Sequence, residues 1–312
     1  MATYLITGVA GFIGSNLAEA LLDRHETVRG IDNFATGKRE NLADLKDLDF
    51  VEGDITSPET MRRAMRNIDY VLHQAAIPSV PRSVADPVES NRNNVDGTLI
   101  VLEAARQART VKRLVYAASS SAYGDTPTLP KVETMTPRPL SPYAVAKLAS
   151  EHYMSVYSRL YDLPCVSLRY FNIFGPHQDP ASQYAAVIPK LVQCALRGES
   201  PPIFGDGKQS RDFTFVGNAI EANLKACTAE NVAGETFNVA CGKSYSLLEL
   251  VATINELLGT KVAPRFLPAR VGDIKDSLAD ISKARERLGY TAAIDFKEGL
   301  RRAVAWYKDH LK

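Results

Sequence analysis

The chain has 312 residues, and its 37 Lys and Arg nearly balance its 36 Asp and Glu, which leaves a net charge of +1. This balance gives no argument for nucleic acid or an anionic membrane as a partner. The four cysteines are widely spaced without a CxxC pair, and no apolar run reaches the length of a signal peptide or a membrane span. We therefore predict a cytoplasmic protein with free thiols, no metal site and no membrane partner.

The N-terminal stretch has the order strand, glycine turn, helix, strand. These elements are Thr3–Thr7, the glycines Gly8, Gly11 and Gly14, Ser15–Arg24, and Thr27–Ile31. The order is typical of a dinucleotide site, because the glycines allow a tight turn, a close approach of backbone to a pyrophosphate, and packing of the helix on the strand. Asp32 follows at the spacing of a carboxylate that binds the ribose hydroxyls. It would repel a 2′-phosphate, so we predict NAD rather than NADP, and Arg39 nearby is a reason to test that choice.

Strands and helices keep alternating after this unit, which predicts a parallel sheet covered on both sides, with ligands at the carboxyl ends of the strands. The further predicted elements are strands at Phe50–Val51, Tyr70–His73, Arg113–Ala118 and Val166–Asn172, and a long helix at Glu89–Arg109. Asp54, after the third strand, fits a carboxylate near the adenine as well as one in a helix-capping loop. His73 has no matching His or Cys cluster, so we predict a structural role for it.

Tyr143 and Lys147 stand four residues apart, after a Ser141-Pro142 pair that is typical of a helix start. On a helix the two side chains share one face. A lysine ammonium beside a tyrosine lowers the phenol pKa from about 10, which would make Tyr143 usable as a general base. The spacing alone also occurs on solvated helix faces. Ser119–Ser121 end a predicted strand and would point into the ligand crevice, although each alone could be a polar strand-to-loop transition.

The glycine turn, the serine run and Tyr143-x-x-x-Lys147 together resemble the extended short-chain dehydrogenase/reductases, and within them the NAD-dependent sugar-nucleotide epimerases. The resemblance covers the whole chain. It implies an α/β fold, with a Rossmann-type doubly wound parallel sheet over residues 1–175 and a smaller mixed α/β substrate-binding domain over residues 176–312, from which some chain returns to the first domain. The family often dimerises through a four-helix bundle, for which Glu89–Arg109 and Ser141–Tyr161 are the candidates, so we expect a homodimer.

The resemblance implies that Tyr143 is the catalytic base, that Lys147 binds the nicotinamide ribose, and that Ser119, four residues before a Tyr-Gly pair, completes a triad. The alignment leaves Ser120 or Ser121 open as the triad serine. In the family's dehydratases acidic residues follow this serine, and their replacement here by Ser120 and Ser121 favours epimerisation. NAD contacts are implied for Gly8, Gly11, Phe12, Ile13, Gly14, Asp32, Asn33, Asp54, Ile55, Gln74, Ala75, Ala76, Asn94, Tyr143, Lys147 and Tyr170.

The resemblance also implies a UDP-sugar substrate, with Arg211 and Arg270 on the diphosphate and the carboxylate of Asp273 on the ribose. Either arginine alone would be interpreted as part of a surface charge pair. Ser277 corresponds to the position that borders the C2 substituent of the sugar, and a serine leaves room for an N-acetyl group, so we predict a preference for UDP-GlcNAc and UDP-GalNAc. Substrate contacts are implied for Ser79, Ser120, Ser121, Asn172, Ala186, Val187, Lys190, Arg211, Arg270, Asp273 and Ser277.

Three alternative functions stay open at this point. The protein could be a 4-epimerase of UDP-glucose and UDP-galactose, a 4-epimerase of UDP-glucuronate, or a non-catalytic NAD-binding scaffold. A scaffold needs the glycine turn but neither Tyr143 nor Lys147 nor a diphosphate clamp, so the presence of all of these counts against it.

Overall fold

The computed structural model describes residues 1–180, 187–268 and 275–310. Within them the strands are β1 (Thr3–Thr7), β2 (Thr27–Asp32), β3 (Asp49–Glu52), β4 (Tyr70–His73), β5 (Arg113–Ser119), β6 (Cys165–Tyr170), β7 (Ile173–Phe174), β8 (Pro202–Phe204), β9 (Ser210–Arg211), β10 (Thr214–Phe215), β11 (Thr236–Val239), β12 (Tyr245–Ser246) and β13 (Arg265–Leu267). The helices are α1 (Phe12–Leu22), α2 (Pro58–Ala64), α3 (Val80–Ala85), α4 (Pro87–Asn91), α5 (Gly97–Ala108), α6 (Pro142–Leu160), α7 (Val187–Leu196), α8 (Val216–Thr228), α9 (Leu247–Leu258), α10 (Ser282–Leu288) and α11 (Phe296–His310).

Seven strands form one parallel sheet in the order β11-β6-β5-β4-β1-β2-β3. Its register places Thr7 of β1 opposite both Ile31 of β2 and His73 of β4, so these strands end at a common edge. The Rossmann-type doubly wound parallel sheet predicted from the sequence is confirmed. Because parallel strands present their carboxyl ends together, the polar residues that follow each strand meet at this edge.

Apolar side chains cover both faces of the sheet. On one face α1 and α8 contribute residues such as Leu17 and Ala222. On the other face α2, α5 and α6 contribute Met61, Val101 and Met154. The burial of these side chains in two closely packed layers fixes the helices against the strands, and with them the side chains at the helix N-termini.

His73 is buried in the sheet, where its ring nitrogens lie 2.7 Å from Thr7 Oγ1 and 3.0 Å from Thr98 Oγ1. Burial, with a smaller effect of the Lys147 charge, lowers the pKa of His73 to about 3, so the imidazole is neutral. In the described ranges no group of three His, Cys, Asp or Glu side chains could hold a metal ion. The four cysteine thiols are unpaired, as the sequence predicts.

The long helix predicted over Glu89–Arg109 is not continuous. A π-helical turn over Arg92–Asp96 separates α4 from α5. Asn94 lies in this turn, and its amide accepts a hydrogen bond from Ile77 N at 2.8 Å and donates one to Ile77 O at 3.3 Å. The buried amide therefore holds the chain segment that follows β4, and the widened turn presents it to that segment.

The residues after β6 build a smaller apolar cluster around Phe174, Phe213, Phe215 and Phe296, closed by α7, α9 and α11. The chain then returns to the large sheet, because β11 pairs with β6 as its edge strand. We propose a domain division near residue 175 on this basis. None of the helices in the described part of the chain combines the length and apolar character needed to cross a bilayer.

Candidate active site

A cleft of about 690 Å³ opens at the carboxyl edge of the sheet. It brings together most of the residues predicted for the cofactor and several predicted for catalysis and substrate. Those that line it are Gly8, Gly11, Phe12, Ile13, Gly14, Asp32, Gln74, Ala75, Ala76, Ser79, Ser119, Ser120, Tyr143, Lys147, Tyr170 and Asn172. Most of them end or follow five strands of the sheet or lie in α1 and α6, so the topology, rather than nearness in sequence, assembles the cleft.

The glycine turn leaves no space for side chains at Gly8 and Gly14. Gly8 has a φ of +71°, and a Cβ there would lie 2.7 Å from Ala75 N. A Cβ on Gly14 would lie 2.1 Å from Gly8 O, so the first turn of α1 packs directly on the loop. Gly11 is the N-cap of α1 and adds no side chain over the free N–H groups of the helix. The turn is thus a backbone cradle at a helix N-terminus, which suits a pyrophosphate.

Asp32 ends β2 beside this cradle. Its carboxylate accepts hydrogen bonds from Ala10 N at 2.9 Å and Phe34 N at 2.8 Å. Burial raises its pKa, and these backbone donors oppose the shift. Arg39 is directed elsewhere, because its guanidinium bonds Glu52 at 2.9 Å and stacks on the Phe34 ring at 4.0 Å. The carboxylate therefore faces the cleft, whereas Arg39 is held by other partners, which agrees with the prediction of NAD.

Asn33, Asp54 and Ile55 line a smaller pocket that adjoins the cleft. Asp54 accepts hydrogen bonds from Thr56 N at 2.7 Å and from Asn33 Nδ2 at 2.9 Å. Although partial burial raises its pKa, these hydrogen bonds outweigh the effect and lower it. Ser57 caps α2. Asp54 thus orders the loop before the helix and also borders the pocket, and its contact with the adenine stays a prediction.

Tyr143 lies in the first turn of α6, and Lys147 lies one turn further along. Lys147 Nζ donates a hydrogen bond to Ala117 O at 2.8 Å and stands 4.8 Å from the centre of the Tyr116 ring. Ser141 caps the helix by accepting from Ala144 N at 3.2 Å. The predicted helix start is confirmed, and it sets Tyr143 and Lys147 against the end of β5.

The predicted lowering of the Tyr143 pKa by Lys147 is wrong for the chain alone. Burial raises the pKa of Tyr143 and a hydrogen bond with Ser119 opposes the rise, but Lys147 does not reverse it. Burial instead lowers the pKa of Lys147 to about 7. The reason is that the low dielectric disfavours both charged forms, the phenolate and the ammonium. Near neutral pH, and without a cofactor, the phenol of Tyr143 is therefore neutral and the amine of Lys147 is only partly protonated.

The three serines are not equivalent. Ser119 and Ser120 line the cleft, whereas Ser121 does not. Ser121 Oγ instead donates to Ser119 Oγ at 2.8 Å, and Ser121 N donates to the same oxygen at 3.2 Å. Ser119 is also the serine whose hydroxyl lowers the pKa of the Tyr143 phenol. This geometry favours Ser119 as the triad serine, with Ser121 orienting it.

Comparison with known proteins identifies the fold's family. The model of the NAD dependent epimerase/dehydratase family matches residues 4–240. The chain belongs to this family. Its cofactor is NAD, and the glycine cradle with Asp32 at its side fits that dinucleotide.

Three solved structures resemble the chain over nearly its whole length. The UDP-N-acetylglucosamine 4-epimerase from Methanobrevibacter ruminantium, in complex with UDP-N-acetylmuramic acid, is 39% identical with a TM-score of 0.94, covering 99% of both chains. The UDP-glucose 4-epimerase of Thermus thermophilus in complex with NAD is 37% identical with a TM-score of 0.89, covering 98% of this chain and 99% of that one. The UDP-glucuronic acid 4-epimerase from Bacillus cereus, with UDP-glucuronic acid and NAD, is 34% identical with a TM-score of 0.91, covering 99% of both chains.

Several predicted contacts of this epimerase/dehydratase do not border the cleft. Asn94 is one, because its amide is bonded to Ile77 as described above. On the substrate side, Arg211 donates to Ser210 O and Lys275 O, and Ser277 N donates to Ser210 O. The predicted residues that are described but line neither the cleft nor the smaller pocket beside it are Asn94, Ser121, Val187, Lys190, Arg211 and Ser277. Ala186, Arg270 and Asp273 lie outside the described residues.

Sequence reasoning missed Lys38, His177 and Asn223. Lys38 and His177 line the NAD cleft. Asn223, from α8, donates to the hydroxyl of Tyr170 at 2.7 Å, and that hydroxyl donates to Gln74 Oε1 at 3.3 Å. The position of His177 just after the last strand of the nucleotide side was a usable signal, since loops at the carboxyl ends of strands form such clefts. No local pattern marks Asn223.

Proposed function

We propose that the protein is an NAD-dependent 4-epimerase of UDP-hexoses that prefers UDP-GlcNAc and UDP-GalNAc. The observation that carries the proposal is that Ser119, Tyr143 and Lys147 line the same cleft as the glycine cradle. Such a cleft suits hydride chemistry at a carbinol. The three solved relatives above are all 4-epimerases of UDP-sugars, which supports this reaction over other chemistry of the family.

In this proposal Tyr143, as phenolate, takes the proton from the sugar O4, while the hydrogen at C4 leaves as hydride. Bound NAD+ supplies the hydride acceptor and a cationic nicotinamide. Ser119, whose hydroxyl lowers the pKa of the Tyr143 phenol, relays the proton between that phenol and the sugar. Arg211 and Arg270 keep hold of the diphosphate while the 4-keto sugar turns over. C4 of the keto sugar then takes the hydride back on its opposite face, and the phenol of Tyr143 returns the proton to O4, which gives the epimeric product.

The serines offer a graded test of this arrangement. We expect Ser119→Ala to lower kcat about 100-fold, because it removes the hydroxyl that bonds Tyr143. Ser121→Ala should lower kcat only about fivefold, because Ser119 loses one hydrogen-bonding partner but stays in place. Ser120→Ala, the matched control in the cleft, should raise KM and leave kcat within about threefold. Steady-state kinetics with the best UDP-sugar measure all three. A large loss of kcat in Ser120→Ala with little in Ser119→Ala would move the triad to residue 120.

Ser277 carries the proposed preference for N-acetylated sugars. It is half-buried, and its backbone is anchored to Ser210 beside Arg211. We expect Ser277→Tyr to lower kcat/KM for UDP-GlcNAc at least about 50-fold, since a site filled by a large side chain rejects a bulkier substrate. UDP-Glc should lose less than about fivefold. Ser277→Ala is the control and should leave both values nearly unchanged. An equal loss on the two sugars would refute the role of this residue in selectivity.

The experiment that tests the proposed reaction uses a substrate panel without added NAD. The purified protein is incubated with UDP-GlcNAc, UDP-GalNAc, UDP-Glc, UDP-Gal and UDP-GlcA, and products are identified by NMR. We expect interconversion of the N-acetylated pair, with slower turnover of UDP-Glc and UDP-Gal. Faster turnover of UDP-Glc, or turnover of UDP-GlcA, would point to the other two 4-epimerases. Absence of turnover on every sugar would revive the non-catalytic scaffold.

We also propose that a second copy of the chain pairs through a four-helix bundle. Support comes from α6, one of the two predicted helices, which exposes Val145, Val156 and Leu160. Cytoplasmic localisation stays a prediction from the sequence.

A further inference from the structure

One wall of the cleft is a short segment that we call the strap, residues 175–179. It follows β7, and His177, Gln178 and Asp179 line the cleft opposite the glycine turn. On its outer side the hydroxyl of Tyr307 from α11 bonds Gly175 O and Gln178 O, each at 3.1 Å. The strap is therefore backed by the C-terminal helix and faces the cofactor site.

On its inner side the strap is bonded to α1, the helix whose N-terminus forms the phosphate cradle. Ser15 Oγ lies 2.8 Å from His177 Nδ1, and Asn16 Nδ2 donates to Pro176 O at 3.1 Å. These bonds join residues about 160 positions apart in the sequence. They fix the base of the strap, close to the first turns of α1.

The far end of the strap is held by charge. Lys38 Nζ lies 2.9 Å from Asp179 Oδ2. The backbone of Lys38 is tied to the glycine turn, because Lys38 N donates to Ala10 O at 3.0 Å. Both side chains line the cleft. The ion pair thus ties the end of the strap to the loop that follows β2, and both residues border the cleft.

We propose that the Lys38–Asp179 ion pair is a latch that retains the bound dinucleotide. In this latch the base of the strap stays on α1, and separation of Lys38 from Asp179 loosens the end of the strap from the loop that follows β2. The side chains are 47% and 28% exposed, so the pair is solvated enough to open and is sensitive to salt. A retained cofactor suits a reaction that takes a hydride and returns it. The latch rests on the NAD cofactor and does not depend on the sugar proposed above.

A different role for Lys38 would be a direct contact with a cofactor phosphate. The two roles predict opposite signs for Asp179→Asn. If the pair is a latch, the substitution opens the cleft and speeds NAD release. If Lys38 binds phosphate, loss of its competing carboxylate frees the ammonium for the cofactor and slows release.

The test is the rate of NAD+ release from loaded protein. Protein saturated with NAD+ is passed over a desalting column, and released NAD+ is trapped by an excess of a coupled alcohol dehydrogenase and read as NADH absorbance. At low salt we expect Asp179→Asn and Lys38→Met each to speed release about threefold, within the range of a solvated ion pair. The double variant should be no faster than either single variant. At about 0.5 M NaCl the difference from wild type should vanish.

Two controls keep the result specific. Glu52→Gln breaks a more exposed ion pair on the neighbouring Arg39, outside the cleft, and should release NAD+ at the wild-type rate. Lys38→Arg keeps the charge and should also stay near wild type. Release that is unchanged or slower in Asp179→Asn overturns the latch, as does an additive effect in the double variant. Because the readout is NAD+ itself, failure of the latch and failure of the proposed epimerase activity are distinguishable.

Discussion

Tyr143→Phe is expected to lower turnover of the best UDP-sugar by about 1,000-fold while the protein still binds both the sugar nucleotide and NAD. The phenylalanine keeps the ring that lines the cleft at the start of α6 and removes only the phenolic hydroxyl. A positioned general base contributes about 100- to 10,000-fold to a reaction rate. The hydroxyl makes no contribution to the phosphate cradle, so ligand affinity should change little.

The measurement pairs kcat with calorimetric binding of the UDP-sugar and with absorbance of retained NAD. Tyr123→Phe is a matched control, since the Tyr123 hydroxyl donates to Asn238 at 2.7 Å and the residue does not line the cleft. We expect it to lose stability but keep turnover within about threefold. If Tyr143→Phe retains a tenth of wild-type turnover or more, the base is a different group.

The parts of the fold that follow from short-range patterns were predictable. The strand, glycine turn and helix that begin at Thr3 have the predicted order, and β4 has the predicted bounds. Ser141 and Pro142 marked the start of α6 because N-cap chemistry is decided by neighbouring residues. Such signals act within one turn or one strand, so a single sequence contains them.

Features that depend on distant partners were not predictable in the same way. The π turn at Arg92–Asp96 accompanies the bonding of Asn94 to Ile77, which no periodicity encodes. The strap depends on the contact of Ser15 with His177, 162 residues away. The pKa of Lys147 depends on how many atoms surround it after folding. Pairwise spacing predicted a charged lysine beside Tyr143, whereas burial decides the charge.

Lys147→Met is expected to lower turnover about 100-fold and, at the same time, to stabilise the NAD-free protein near neutral pH. Turnover falls because the substitution removes the cation one helical turn from Tyr143 and the proposed partner of the nicotinamide ribose. Stability rises because the wild-type ammonium is desolvated in the core, where Lys147 is only 4% exposed. Methionine has a similar length and no charge to bury.

The pH dependence of this effect follows from the sign of the pKa shift. The pKa of Lys147 is about 7 in the folded chain, against an ordinary value of about 10.4 when unfolded. Between these values the unfolded chain binds more protons than the folded one, so the wild type gains stability as the pH rises, and below about 7 the full penalty of the buried charge remains. The methionine variant lacks this dependence. We expect it to be more stable than wild type by about 2 kcal/mol at pH 6, after allowance for the lost hydrogen bond.

Near pH 10 the wild type should become more stable than the Lys147→Met variant, so the two stability curves should cross. There the wild-type amine is neutral and still donates to Ala117 O, whereas methionine leaves that carbonyl without its donor. Such a loss costs about 1 kcal/mol, so the variant should become the less stable protein. Chemical denaturation of the NAD-free proteins from pH 6 to pH 10 measures the crossing. A variant less stable than wild type throughout this range would mean that Lys147 is stabilising in its charged form. In that case burial would not control the charge beside Tyr143.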